Sequence, residues 1–157
     1  MKKKFKIWQV VLGVFILFLV TGCGNSNDAL SMTCTRTMNQ NNIKTSLKYN
    51  VEYKDDYVSR IKSVETIETD SSDILNTYKE QIESLYSPYQ DVDYYEYNVE
   101  IQDNKLTSTV DINYEKVDTD KLLEIDSANG QLIKDGKIRV DDIKSVYENL
   151  GAICEED

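Results

Sequence analysis

The sequence predicts an α+β domain: a mainly antiparallel sheet built from two hairpins, packed on one face by two or three helices. Three observations predict it. Apolar and polar residues alternate over 43–53, 95–101 and 106–114, the period of half-buried strands. Turn residues, Lys54-Asp55-Asp56 and Asp103-Asn104, close such runs into hairpins, so neighbouring strands run antiparallel. Between the hairpins, Ile74, Leu75, Tyr78, Ile82, Leu85, Tyr86 and Tyr89 recur at helical spacing.

The first 22 residues read as a targeting segment rather than as part of the fold. Lys2, Lys3, Lys4 and Lys6 precede an apolar run from Ile7 to Val20. That run is roughly 14 residues, short of the ~20 a spanning helix needs. Val20-Thr21-Gly22-Cys23 follows, with a small residue directly before a cysteine. That stretch resembles the lipobox of bacterial lipoproteins, and the resemblance implies cleavage before Cys23 and lipid on it, which leaves 23–31 as a small, polar, flexible tether and 32–157 as one domain. An uncleaved anchor, or a chance cysteine behind an ordinary signal, are the alternatives.

A Thr-rich strand is expected over 32–38, with a turn at 39–42. The next strand, 43–53, is the cleanest in the chain. Over 57–67 the apolar residues Val58, Ile61, Val64 and Ile67 recur every third position, which suits neither template; the β-branched content favours a strand with a bulge. Thr69-Asp70-Ser71-Ser72-Asp73 supplies N-cap oxygens for the main helix, and Pro88 ends it at Ser87. The second hairpin carries an acidic outer face. Asp118-Thr119-Asp120 caps a short helix over 121–125, and Asn129-Gly130 and Asp135-Gly136 read as turns. Val140, Ile143, Val146, Tyr147 and Leu150 mark a last helix stopped by Gly151, after which 152–154 reaches back before an acidic tail.

The bulk chemistry narrows function. Removing the four leader lysines leaves 14 basic against 28 acidic residues, a formal charge of −14. That argues against nucleic acid and against electrostatic docking on anionic lipid. There is no histidine, which removes the commonest general base and transition-metal ligand. With Cys23 lipidated, Cys34 and Cys154 remain as an even pair in an oxidising compartment, read as a disulfide between the first strand and the segment after the last helix. Two buried free thiols are the alternative.

No constellation points to catalysis, and nothing implies a cofactor or a metal. Asp91-x-Asp93 and Asp118-x-Asp120 lack the glycine and glutamate of an EF-hand loop and read as a turn and a cap. The acidic row Glu96, Glu100, Asp111 and Glu115 reads as a wet sheet face rather than paired catalytic carboxylates. Tyr94, Tyr95 and Tyr97 cluster with Tyr86 and Tyr89, either as a recognition surface or as the edge of a β-rich core.

The lipobox-like Val20-Thr21-Gly22-Cys23, the Thr-rich strand at Cys34, the paired hairpins around one amphipathic helix and the ending Asp142-Ile143-Lys144-Ser145-Val146-Tyr147-Glu148-Asn149-Leu150-Gly151 together resemble the YehR-like bacterial lipoproteins, built around a domain of unknown function. The resemblance implies membrane attachment and an α+β domain, and hands over no activity and no catalytic residue. The expectation is a lipid-anchored extracytoplasmic protein, a non-enzymatic module that binds an envelope protein or a small ligand. A structural accessory of an envelope complex is the alternative, and a small hydrolase comes last.

Overall fold

A computed structural model describes residues 29–157. Six strands form one wholly antiparallel sheet: β1 (Leu30–Gln40), β2 (Ile43–Lys54), β3 (Tyr57–Glu68), β4 (Tyr95–Gln102), β5 (Lys105–Asn113) and β6 (Ile153–Glu156). Their order is β4-β5-β3-β2-β1-β6. Three helices, α1 (Ser72–Tyr86), α2 (Thr119–Ile125) and α3 (Val140–Asn149), cover one face and leave the other to solvent. The predicted α+β class stands. Among the described residues no helix is long and apolar enough to cross a membrane.

The first three strands are a meander joined by two-residue turns. Asn41-Asn42 and Asp55-Asp56 all have positive φ, the conformation that fits a right-twisted hairpin and that Asn and Asp tolerate best after glycine. β1 is longer than its apolar residues indicate. It starts at Leu30, inside the expected tether, and runs to Gln40, because polar edge residues pair through backbone alone. β3 contains the bulge that its spacing implied. Glu52 pairs with Arg60 and Tyr53 with Val58, so Ser59 is the extra residue. Its carbonyl is not wasted: it accepts from the Tyr114 N–H at 2.8 Å.

The bulge decides which side chains face the helices. Without it, positions two apart from Val58 would be Arg60, Lys62 and Val64. With it, Ile61, Ser63, Glu65 and Ile67 share the inward face with Val58, and Val64 turns outward between Lys48 and Thr109.

Ser71 caps α1, its hydroxyl accepting from the Ile74 N–H at 3.4 Å. A cap of this kind contributes about 1 kcal/mol. Leu75 and Ile82 are buried from this helix, and Ser87–Tyr89 continues it as a 3-10 turn once Pro88 breaks the ladder. Asp118 caps α2, accepting from the N–H groups of Asp120 and Lys121. Asn129-Gly130 lies in a short 3-10 helix, Ser127–Gln131, rather than in an isolated turn, because Asp126 caps that segment by accepting from the Ala128 N–H. α3 ends at Gly151, whose φ of +85° reverses the chain into β6.

The core is in two parts. One holds Met32, Cys34, Val51, Val58 and Ile61 from the sheet, under Val117, Leu122, Ile133, Ile138, Ile143 and Tyr147. The other holds Ile67 and Leu106 under Leu75 and Ile82 of α1.

Candidate functional site

Between the two cores one cross-strand row faces inward: Arg36 of β1, Leu47 of β2, Glu65 of β3, Ser108 of β5 and Val99 of β4. α1 packs over β4 and β5, while α3 packs beside β6. The helical layer therefore leaves this strip partly open. Ser108 is buried, but Arg36, Leu47 and Glu65 are only half-buried. Arg36 lies against Gly151, where a side chain would meet its guanidinium at 3.5 Å.

Tyrosines wall the strip. Tyr49 stacks on Tyr147 of α3 at 4.0 Å between ring centroids and 10° between planes, and Tyr86 of α1 meets Tyr97 of β4 at 5.9 Å. A stacked aromatic pair adds roughly 0.5–1.5 kcal/mol beyond the area it buries. Burial pushes the Tyr49 phenol up, Glu65 pushes it further, and Arg36 acts the other way. Burial and then Glu65 raise Tyr86 as well. Glu65 itself is raised above the usual carboxylate range by desolvation. No cation lies within ion-pair distance of it among the described residues, and none of its carboxylate oxygens takes a hydrogen bond there. Glu65 is thus a titratable group perturbed by burial, with Arg36 two strands away in the same row.

The residues singled out from the sequence fall elsewhere or at the margin of this strip. Cys23 lies outside the described residues. Cys34 and Cys154 form a disulfide, directly opposite each other in the β1–β6 ladder with Cα atoms 4.0 Å apart. The three candidate tyrosines do not share a face. Tyr94 precedes β4 with positive φ, is 52% exposed, and holds the Lys116 ammonium 5.4 Å from its ring centroid. Tyr95 turns inward and stacks on Tyr89 at 4.6 Å, and Tyr97 turns inward to Tyr86. Glu96 and Asp111 pair across the open outer face, where Arg60 donates to both Asp111 oxygens at 2.7 Å. Asp118 serves as the α2 cap, and Asp91 and Asp93 are exposed. Among the described residues no group of three or more His, Cys, Asp or Glu is placed to hold a metal ion.

A depression of about 530 Å³ lies at the sheet end around Asn39, Gln40, Asn41, Asn42 and Asn104. Glu68 there lies between Lys44 at 3.2 Å and Lys105 at 3.8 Å, and Asp70 is exposed.

Glu65 and Arg36 escaped the sequence reading. The alternation of the first strand already set Arg36 on the face of Cys34, so one signal was present. For Glu65 the signal was the bulge, whose position fixes the parity of everything after it.

Two solved structures share this architecture. The NMR structure of YehR from E. coli matches at 20% identity with a TM-score of 0.53, over 83% of this chain and 92% of that one. An NMR structure of a protein from Streptococcus pneumoniae TIGR4 matches at 15% identity with a TM-score of 0.53, over 99% and 98%. At these identities the likeness is one of fold. No curated protein matches the chain. A family model described as a protein of unknown function (DUF1307) matches residues 32–151. The YehR-like resemblance is thereby supported by both sequence and fold, and, with that match running from the first inward methionine of β1 to the glycine that ends α3, the chain belongs to the DUF1307 family.

Proposed function

We propose that this protein is a lipid-anchored, extracytoplasmic, non-enzymatic binding module that takes a small ligand in the strip between α1 and α3. The observation that carries the reading is Glu65, a half-buried carboxyl with no cation beside it among the described residues, on the helix-covered face among Tyr49 and Tyr86. A fold that keeps such a group loses stability by it, and a ligand that neutralises it restores the loss. The anchor rests on Val20-Thr21-Gly22-Cys23 and the lysine-led apolar run before it. A non-catalytic role is favoured by the outer acidic row, where Asp111 is committed to Arg60.

Two measurements test the reading. Cys23→Ala should move the protein from the membrane to the soluble fraction; a variant still membrane-bound after a high-salt wash defeats the anchor. Native mass spectrometry of protein purified from its own cells should show a small molecule on the wild type that Glu65→Gln loses. An identical bare mass for both defeats the site. The second reading, a structural accessory of an envelope complex, is favoured by Leu150 and Ile153, which are 49% and 70% exposed where the chain turns into β6. A photo-cross-linker that captures one envelope protein in intact cells from position 153, and nothing from position 47, would favour it.

A further inference from the structure

The geometry points to a second site, apart from Glu65: we propose that the sheet end beside the start of α1 binds a neutral oligosaccharide. Two hairpin turns, Asn41-Asn42 and Asp103-Asn104, stand at this end, and β3 ends between them. The Thr69 N–H, just past β3, donates to the Asn104 carbonyl at 3.0 Å. The depression of about 530 Å³ lies there, within the size range of small-molecule sites. Ile43 lines it and also lines a second depression of about 370 Å³, against Ile74, Thr77, Tyr78 and Gln81 of α1. The two meet at Ile43, one polar and the other largely apolar.

The polar end is rich in uncommitted amides. Asn39, Gln40, Asn41, Asn42 and Asn104 line it, and among the described residues none of their side chains makes a hydrogen bond within the protein. Turn geometry accounts for Asn41 and Asn42, whose φ is positive, but not for Asn39, which lies inside β1 where asparagine is disfavoured. An amide offers two donors and an acceptor side by side, the complement of neighbouring hydroxyls on a sugar ring. Thr69 lines the same depression and is only 7% exposed. Its hydroxyl accepts from the Ser71 N–H at 3.4 Å, and among the described residues nothing accepts its own proton. A ligand hydroxyl supplies that acceptor.

The other ligand classes fit less well. Lys44 is held by Glu68 at 3.2 Å, which leaves Asp70 and Asp73 exposed along the two depressions to repel an anion. A metal ion finds no group of three acidic ligands among the described residues. An extended peptide finds no free strand edge, because Gln40 is paired with Ile43, and Glu68 with both Lys44 and Lys105. An apolar molecule would strip water from the amides and return nothing. A sugar satisfies both ends: its hydroxyls suit the amides, and the C–H face of a ring suits Ile43 and Tyr78, both half-buried.

The test uses the full chain in a detergent without a sugar headgroup. The probes are maltotriose, the trimer of N-acetylglucosamine, their monosaccharides, and trigalacturonate, which carries carboxylates. In an NMR titration at least one neutral trimer should shift the signals of Asn39, Asn42, Ile43, Thr69 and Asn104, saturating at millimolar concentration. Its monosaccharide should bind about tenfold more weakly, and trigalacturonate not at all. Asn39→Ala and Asn104→Ala leave the backbone pairing in place, and each should weaken binding about three- to tenfold. Glu65→Gln should bind the trimer as the wild type does, which separates this site from the strip. The spectrum of each variant reports in the same experiment that it is folded. The proposal is overturned if neither neutral trimer gives shifts up to roughly 10 mM, or if the shifts centre elsewhere on the molecule. It is overturned equally if trigalacturonate or the monosaccharide binds as tightly as the trimer, or if both asparagine variants bind as the wild type does.

Discussion

A carboxyl that sits half-buried with no cation beside it resists ionisation, and among the described residues Glu65 is in that position. Its folded pKa lies above the 4.5 of the free side chain, so the folded protein holds the proton more tightly than the unfolded chain does. By linkage, the stability tied to that proton is full below about pH 4.5 and is lost as pH rises through the folded value. Glu65→Gln keeps the shape and removes the titration. The variant should melt higher than the wild type near neutral pH, and the two curves should converge in acid. Thermal melts across that range check it. A wild type that is the more stable form at neutral pH would mean that Glu65 has a cationic partner in the fold, and the strip would lose its claim to be a ligand site. The direction matters for function, because a residue that lowers the stability of the free protein is one that binding has reason to keep.

At the scale of the element, β6 is the one strand that depends on something other than its own pairing. It spans four residues, pairs with β1 from Met32 to Thr35, and is followed by Asp157, whose N–H donates to the Ser31 carbonyl at 3.0 Å. The Cys34–Cys154 bridge closes a separation of 120 residues, worth roughly 4–5 kcal/mol on the chain-entropy account. Replacing both cysteines by alanine should lower stability by an amount of that order and release the amides of 153–156 to fast hydrogen exchange. Unchanged exchange there would show that the ladder alone holds the strand. β6 could not be recognised from local pattern, since Ile153-Cys154-Glu155-Glu156 has too little alternation to read; its partner was visible only through the cysteine count. β2 stands at the other extreme, with an unbroken alternation that sets both its faces. β3 lies between. Its strand type and its bulge were legible from Val58, Ile61 and Ile67, but the place of the bulge was not, because Ser59 is an ordinary strand residue chosen by the Tyr114 N–H that its carbonyl accepts. Since the parity of Glu65 follows from that place, the fold was readable and the candidate site was not.

Across the whole molecule tyrosine pairs tie the helical layer to the sheet. Tyr147 brings α3 down on Tyr49 of β2, and Tyr86 brings α1 down on Tyr97 of β4. Tyr89 stacks on Tyr95 beside the first core, against which Tyr114 also packs. A phenol suits this contact because its large ring packs between helix and sheet. The same choice makes the layers sensitive to base. Burial is the largest cause in every case: it pushes Tyr114 up to about 12, raises Tyr95 and Tyr147 further, and raises Tyr49 and Tyr86 as well. Folded values above the ordinary 10.0 mean that the stability tied to these protons is complete below pH 10 and is lost as pH climbs through the folded values. The tyrosinate absorbance of the native protein should therefore lag that of the denatured chain. It should then rise together with the loss of far-ultraviolet dichroism, because ionising a phenol between helix and sheet forces the layers apart. Parallel titrations in buffer and in denaturant check it. Coincident curves would mean that the phenols reach water freely, and that the helices do not close over the sheet in solution as they do here.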